Sequence, residues 1–385
     1  MRPFPWRRLA AVLVVSVLSS SAAVLGADAL PAWRVKMERL AAALGQLLPD
    51  LASERQFQDP RNRQRILGNV RTIVSLAHQM KQQPDKPQAD PTLGFIMDGL
   101  EDEAREAEWA LRNGNLDYAR AVMFNVANAC IVCHSRNSEG VFFRFPVAVP
   151  GEEKLSRFER ATLHAAMRRF DQALTEYQDI LRDPRAPLDE GLEWDRAVNA
   201  AVALAVRSLR SPEAAASVTE VVMHAEAAPP FLRTEAASWR EAIQAWKREA
   251  PSGDGTEAAR HARGKALLER AQRGQSAAVR PNYVELLRAT TELHDQLNAF
   301  PNGPLAADAL LLLGMAYSHL EQLEQWTLHP MYFQACIRKR PHSSVALDCY
   351  ARYAASMHTE YTGSGNPNLP GDVVERLKAL AALAR

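Results

Sequence analysis

Apolar residues recur at intervals of three and four along most of this chain, and that spacing places them on one side of an α-helix. In the first third, the pattern predicts four helices, at Trp33–Leu48, Arg63–Gln82, Pro91–Trp109 and Leu116–Ser135. Prolines and an Asn-Gly-Asn turn separate them, and such residues end helices. Because short connections make consecutive helices antiparallel neighbours, the pattern predicts a four-helix bundle.

The remainder of the chain has the same helical spacing, so the predicted class is all-α throughout. Phe158–Pro184 contains a helix, a turn and a second helix with an F-x-x-A-L-x-x-Y pattern before a closing proline. Leu305–Pro341 has a similar pattern, with an insertion around Glu324–Pro330. Both stretches resemble the tetratricopeptide repeat, which is a helix-turn-helix unit. Further helices are predicted between them at Asp195–Arg210, Glu213–Ala227, Leu232–Arg248, Glu257–Arg273 and Tyr283–Phe300.

Helical pairs of this kind bury both faces only when they stack, and stacking produces an α-solenoid with a concave surface. Such a surface usually binds protein, so the resemblance implies that residues 158–385 form a docking module. The alternative is an irregular domain of amphipathic helices. Residues 147–157 are expected to link this domain to a first domain at residues 30–146.

Composition and charge exclude one class of partner. The chain has 385 residues, enough for two domains, and a formal net charge of +1. A protein that binds nucleic acid usually carries a basic surface. The near-neutral balance therefore gives no basis for a nucleic-acid partner.

The first residues have the features of a secretory signal peptide. Three arginines within the first eight residues precede an apolar run, Leu9–Leu18, and small residues follow. Cleavage is expected after Gly26 or Ala29, so residues 1–29 are predicted to be removed and the mature protein to be periplasmic. The apolar run is short for a membrane span, and an uncleaved membrane anchor is the alternative. After cleavage, no transmembrane segment is predicted.

The residues Cys130-Ile131-Val132-Cys133-His134 form a C-x-x-C-H run at the end of the fourth predicted helix. This run is the sequence form of covalent haem attachment. Two thiols add across the haem vinyl groups, and the imidazole that follows binds the iron as the proximal ligand. On a helix, the spacing puts Cys130, Cys133 and His134 on one face. The sequence therefore predicts one covalently bound haem c.

Three other interpretations of this run are a structural disulfide, a redox dithiol and half of a zinc site. A zinc site needs two more ligands nearby, and the next cysteines, Cys336 and Cys349, lie roughly two hundred residues further on. A thioredoxin-type dithiol follows a strand within a β-α-β pattern, and the sequence has no such pattern. In bacteria, c-type haem is attached outside the cytoplasm, which agrees with the predicted export.

A four-helix bundle with C-x-x-C-H on its last helix resembles the cytochrome c-prime and cytochrome c-556 family. In that family the sixth position of the iron faces a residue early on the first helix, which is methionine in the low-spin members. The resemblance implies Met37 as the sixth ligand, and plain core packing is the alternative. His78 is a rival ligand, which would give a bis-histidine haem, and an open sixth position is the third alternative.

Cys336 and Cys349 flank a proline in a predicted helix-turn-helix. Antiparallel neighbours bring such positions within the short Cα separation that a disulfide requires, and an exported protein occupies an oxidising compartment. A disulfide is therefore predicted, with two buried free thiols as the alternative.

Together these features favour an exported monohaem cytochrome c that transfers electrons and docks a redox partner protein through its helical repeat domain. The alternative is a haem-based gas or redox sensor, which needs an open sixth position. An enzyme such as a peroxidase is not favoured, because the sequence has one haem motif and no recognisable acid-base pair.

Overall fold

The computed structural model describes the chain over residues 32–51, 53–82, 91–134, 153, 155–189, 191–249, 255–273, 280–320, 327–362 and 369–385. Of residues 127–134, the backbone alone is described. Within these ranges every regular element is helical, which confirms the predicted all-α class. The predicted signal peptide, residues 1–29, lies outside the described residues.

Five of the described helices precede residue 135. They are α1 (Ala32–Leu51), α2 (Glu54–Gln58), α3 (Arg63–Lys81), α4 (Leu93–Arg112) and α5 (Leu116–His134). Along the chain, α1 packs against α3, α3 against α4 and α4 against α5, and α1 also contacts α5. A first hydrophobic core lies between these helices, and its fully buried members include Leu47, Ile66, Ile73, Ala104 and Val126.

The end of α1 differs from the sequence prediction, in which the helix stops before Pro49. In the structure the helix continues to Leu51, which is fully buried. The buried Asp50 carboxylate accepts hydrogen bonds of 2.6 and 2.7 Å from the Arg65 guanidinium. The sequence also misses α2, a short helix that buries Phe57. In both places the burial of side chains outweighs local helix propensity.

The remaining described helices follow Ser156. They are α6 (Arg157–Ala166), α7 (Phe170–Arg182), α8 (Ala186–Asp189), α9 (Gly191–Ala203), α10 (Pro212–His224), α11 (Pro230–Arg248), α12 (Glu257–Ala271), α13 (Tyr283–Ala299), α14 (Ala306–Tyr317), α15 (His329–Lys339), α16 (Ser344–Thr362) and α17 (Gly371–Ala384). A π-helical turn, Leu204–Ser208, continues α9. Neighbours in sequence pack as pairs, α6 with α7, α10 with α11, α12 with α13 and α14 with α15. They enclose a second core that includes Trp194, Leu313 and Tyr332.

Gly314 lies where α14 packs against α15, and a Cβ atom at this position would overlap the buried ring of Phe333. We therefore expect Gly314→Ala to lower the free energy of unfolding by about 1–3 kcal/mol, as overpacking does. Gly68→Ala in α3 is the control, because a Cβ there meets nothing within 4 Å and alanine favours a helix. Urea unfolding measures both variants. Equal stability of Gly314→Ala and the wild type would contradict the packing argument.

Helix α6 contributes side chains to both cores. Leu163 and the C-cap residue Met167 are buried in the first core, whereas Ala161 and Ala165 are buried in the second. In addition, Ile96 in the first turn of α4 is buried in the second core. The sequence prediction assigns α6 wholly to the second domain. In the structure, the two cores meet along this helix.

Candidate functional site

The C-x-x-C-H run forms the last turns of α5. Because this backbone is helical, Cys130, Cys133 and His134 lie within about 6 Å of one another along the helix axis, at positions that share one face. Two thiol-bearing positions followed by an imidazole are the donor set of a haem c, and the helical backbone gives them the spacing that this group needs. The residues present therefore fit the predicted cofactor. Their side chains lie outside the described part of the structure.

Helices α1, α3, α4 and α5 each have one end on the side of the first core where Cys130 lies. Arg120, near the start of α5, donates a 2.8 Å hydrogen bond to the Leu51 carbonyl at the end of α1, so the start of α1 lies beside the end of α5. Arg63, at the start of α3, donates a 2.7 Å hydrogen bond to the Leu111 carbonyl near the end of α4. A short turn makes α4 antiparallel to α5. The first turns of α1 and α4 and the last turns of α3 and α5 thus form one end, called the motif end below.

Met37 lies at the motif end, in the second turn of α1. Its side chain is partly buried and packs against the first core. Met37 and the C-x-x-C-H run therefore both lie at the motif end, as the predicted role of Met37 as sixth ligand requires. A thioether is one of the side-chain groups that haem iron accepts as an axial ligand.

His78 also lies at the motif end, in the last turn of α3, but its side chain is 51% exposed. Its Nδ1 atom lies 3.2 Å from Oε1 of Glu101, and its Nε2 atom lies 3.2 Å from Nε2 of Gln82. Both ring nitrogens therefore have a hydrogen-bonding neighbour: Glu101 in α4 and Gln82, the residue that follows α3. A histidine that binds iron here would have to give up one of these contacts.

The Glu101 carboxylate holds a cluster of charged side chains around His78. Burial alone would raise the pKa of Glu101, but hydrogen bonds from Arg105 and Lys81 outweigh it and lower that pKa to about 2. Nζ of Lys81 lies 2.9 Å from Oε2 of Glu101, and Nε of Arg105 lies 3.0 Å from Oε1. Glu101 is therefore charged at neutral pH, and it keeps His78 at the boundary of α3 and α4. The apolar spacing of α4 gives no signal for this buried acid.

Cys336 in α15 and Cys349 in α16 form a disulfide, which confirms the predicted bond between them and removes the alternative of two free thiols. Their Cα atoms are 6.3 Å apart, and both residues are fully buried in the second core. The bond closes a short loop that contains the turn between the two helices. Loops of this length stabilise a protein by about 2–4 kcal/mol when they are closed by a disulfide.

A cavity of about 680 Å³ lies beside α10, α11, α12 and α13 and is called the charged groove below. Trp246 contributes an aromatic surface to it, and the Arg288 guanidinium lies 4.7 Å from the centre of that ring. Arginines that line the groove pair with acidic neighbours as follows: Arg210 with Asp295, Arg263 with Glu292, Arg270 with Glu285 and Arg288 with Glu249. An aromatic and arginine-rich surface is typical of protein interfaces.

No protein-family model, curated protein or solved structure matches this chain. The resemblances to cytochrome c-prime and to the tetratricopeptide repeat therefore remain expectations from the sequence. Among the side chains that the structure describes, no group of three or more His, Cys, Asp or Glu residues is arranged to hold a metal ion. The described helices include none with the length and apolar composition of a membrane span.

Proposed function

We propose that this chain is an exported monohaem c-type cytochrome that carries electrons between proteins. The observation that carries the proposal is the C-x-x-C-H run on the last turns of α5, where a helix spaces Cys130, Cys133 and His134 as thioether formation and axial ligation require. The buried disulfide supports an oxidising, extracytoplasmic location, in agreement with the predicted signal peptide.

In this proposal Cys130 and Cys133 would hold the haem through thioethers, and His134 would bind its iron. When bound, the haem supplies a one-electron couple at its iron. All three residues belong to a helix that packs against α1 and α4, so a rigid element rather than a loop presents them. A rigid ligand set favours electron transfer, because little has to reorganise when the charge on the iron changes.

Met37 is the better of the two candidate sixth ligands. It is partly buried against the first core at the motif end. Its thioether is a weak hydrogen-bonding group, so ligation would cost it little. His78 is half exposed and lies beside the Glu101 carboxylate, so ligation would cost it that interaction. A thioether ligand favours the reduced iron and raises the potential, as suits a carrier.

We also infer the finer architecture. The packing of α1, α3, α4 and α5 on consecutive neighbours supports a four-helix bundle at residues 30–146. The successive helix pairs from α6 onward, with the close approach at Gly314, support a tetratricopeptide-like solenoid at residues 158–385. In this proposal the charged groove docks the redox partner protein.

The absorption spectrum of the purified protein, exported from a host that matures c-type cytochromes, tests the proposed function. A low-spin spectrum with covalently bound haem is expected, because two axial ligands give a low-spin iron. A covalent haem with a high-spin spectrum would mean an open sixth position and would put the sensor ahead of the carrier. A purified chain without covalent haem would refute both.

The variant Met37→Ala is expected to convert the haem from low spin to high spin and to let it bind carbon monoxide, because the thioether is lost. The cost in unfolding free energy should be smaller than the ~2–5 kcal/mol typical of a fully buried side chain, because Met37 is partly exposed. Visible spectra with and without carbon monoxide measure the conversion. His78→Ala is the matched control and should leave the spectrum unchanged. Conversion by His78→Ala alone would instead show a bis-histidine haem.

A further inference from the structure

The turn that ends α6 contains an arginine where glycine is the usual residue. Arg168 has a φ of 58°, in the left-handed region. Its backbone N–H donates a 2.9 Å hydrogen bond to the Ala165 carbonyl, and the Arg169 N–H donates one of 2.9 Å to the His164 carbonyl. These two bonds define a Schellman motif, in which glycine avoids the clash of a Cβ atom. A side chain other than glycine is disfavoured in this conformation, so an arginine here is unusual.

The Arg168 guanidinium has no carboxylate partner in the part of the chain that the structure describes. One of its terminal nitrogens is buried without a hydrogen bond, and the group lies 5.5 Å from the centre of the Phe170 ring. Burial lowers the pKa of this guanidinium. Arg210 has the same left-handed backbone, with a φ of 49°, but its guanidinium binds both carboxylate oxygens of Asp295, at 2.8 and 3.0 Å. Arg168 therefore lacks the anion that its counterpart has.

Helix α6 packs against α5, and residues near the starts of the two helices are joined. An ion pair of 3.5 Å joins Arg120 near the start of α5 to Glu159 near the start of α6. From that point α6 continues along the first core, because both Leu163 and Met167 are buried in the core that contains Val126. We infer that α6 runs in the same direction as α5, which brings its end toward the later turns of α5.

Ala166, the last residue of α6, follows Glu159 by about 10 Å along the helix axis, and Cys130 follows Arg120 by about 15 Å along α5. Ile96, in the first turn of α4, is buried in the second core, to which α6 also contributes, so this core extends to the motif end.

We propose that Arg168 binds a propionate carboxylate of the haem that Cys130, Cys133 and His134 hold, and this inference rests on the proposed function. Thioether formation uses the vinyl groups and leaves the propionates free to accept hydrogen bonds. A partly buried guanidinium needs such an anion, and a carboxylate matches its two-pronged donor geometry. Arg71, another candidate by position, already pairs with Glu108 at 2.8 Å.

Arg168→Gly in the purified holoprotein tests this inference. Glycine suits the left-handed turn, so the variant removes the charge without adding backbone strain. We expect the covalent haem and the helical circular dichroism to be retained and the midpoint potential to fall, because a positive charge near the iron favours its reduced form. We also expect the potential to become pH-dependent in the weakly acidic range, falling as pH rises, because the propionate loses the cation that kept it ionised. Arg168→Lys should restore most of the wild-type behaviour.

His342→Gly is the control, since it also introduces glycine at a left-handed residue, with a φ of 56°, in the turn between α15 and α16. Its midpoint potential should equal that of the wild type. If Arg168→Gly also leaves the potential and its pH dependence unchanged, with or without a loss of stability, Arg168 has a structural role at most and the inference is wrong. A wild type that lacks covalent haem would refute the proposed function itself, and that outcome is distinct because it appears before any variant is compared.

Discussion

Replacement of both Cys130 and Cys133 by serine is expected to abolish covalent haem attachment. Serine keeps the size of the side chain but cannot form a thioether, and the other two cysteines of the chain, Cys336 and Cys349, are joined to each other in the second core. No other pair of thiols can therefore take over. A haem-stained denaturing gel measures the effect, because only covalently attached haem survives denaturation.

The matched control is the double variant Cys336→Ser with Cys349→Ser. It removes the same number of thiols, leaves the C-x-x-C-H run intact and should keep the haem band. Its expected effect is on stability, a loss of about 2–4 kcal/mol from opening the short loop between α15 and α16. A haem band in the Cys130 and Cys133 double variant would remove the basis of the proposed function.

A fragment that ends at residue 156 is expected to be largely unfolded, whereas one that ends at residue 169 is expected to fold. The difference between them is α6, which supplies Leu163 and Met167 to the first core, where they are 0% and 3% exposed. Removing each side chain leaves a cavity that costs about 2–5 kcal/mol. Together the two losses approach the whole stability of a typical domain, about 5–15 kcal/mol.

Thermal melting followed by circular dichroism separates the two fragments, each prepared from residue 30 onward with its haem run intact. In the longer fragment, Leu163→Ala with Met167→Ala should reproduce the instability of the shorter one, which assigns the effect to these side chains rather than to chain length. Ala161→Ser is the control on the other face of α6, since Ala161 belongs to the second core. Cooperative melting of the shorter fragment at the temperature of the longer one would show that the first core is complete without α6.

The helices could be predicted from the sequence because they depend on local periodicity. The predicted range Arg63–Gln82 matches the observed α3 to within one residue, and the range Leu116–Ser135 matches α5 equally well. The sequence could not predict which helices the apolar face of each helix packs against. The stripe of α6 has two sides, and its assignment to two cores depends on how the chain returns after α5, which periodicity does not encode.

The candidate site also has a part that the sequence predicts and a part that it does not. Cys130, Cys133 and His134 lie within five consecutive residues, so the sequence suffices to predict their spacing. Whether His78 faces inward could not be predicted, because its orientation depends on the buried acid Glu101 across the α3–α4 boundary. Arg168 carries no sequence signal either, since a left-handed backbone is expected at glycine or asparagine and not at arginine.

The disulfide between Cys336 and Cys349 has a consequence for how the protein matures. Under the proposed function, haem attachment would require Cys130 and Cys133 as reduced thiols, whereas Cys336 and Cys349 of the same chain form an oxidised pair. Exchange between a thiol and a disulfide requires the attacking sulfur to reach its target. Both Cys336 and Cys349 are 0% exposed, so once α15 and α16 have folded, the haem-binding thiols have no route to that bond. In the proposed cytochrome, burial would thus let one chain hold reduced and oxidised cysteines in a single compartment.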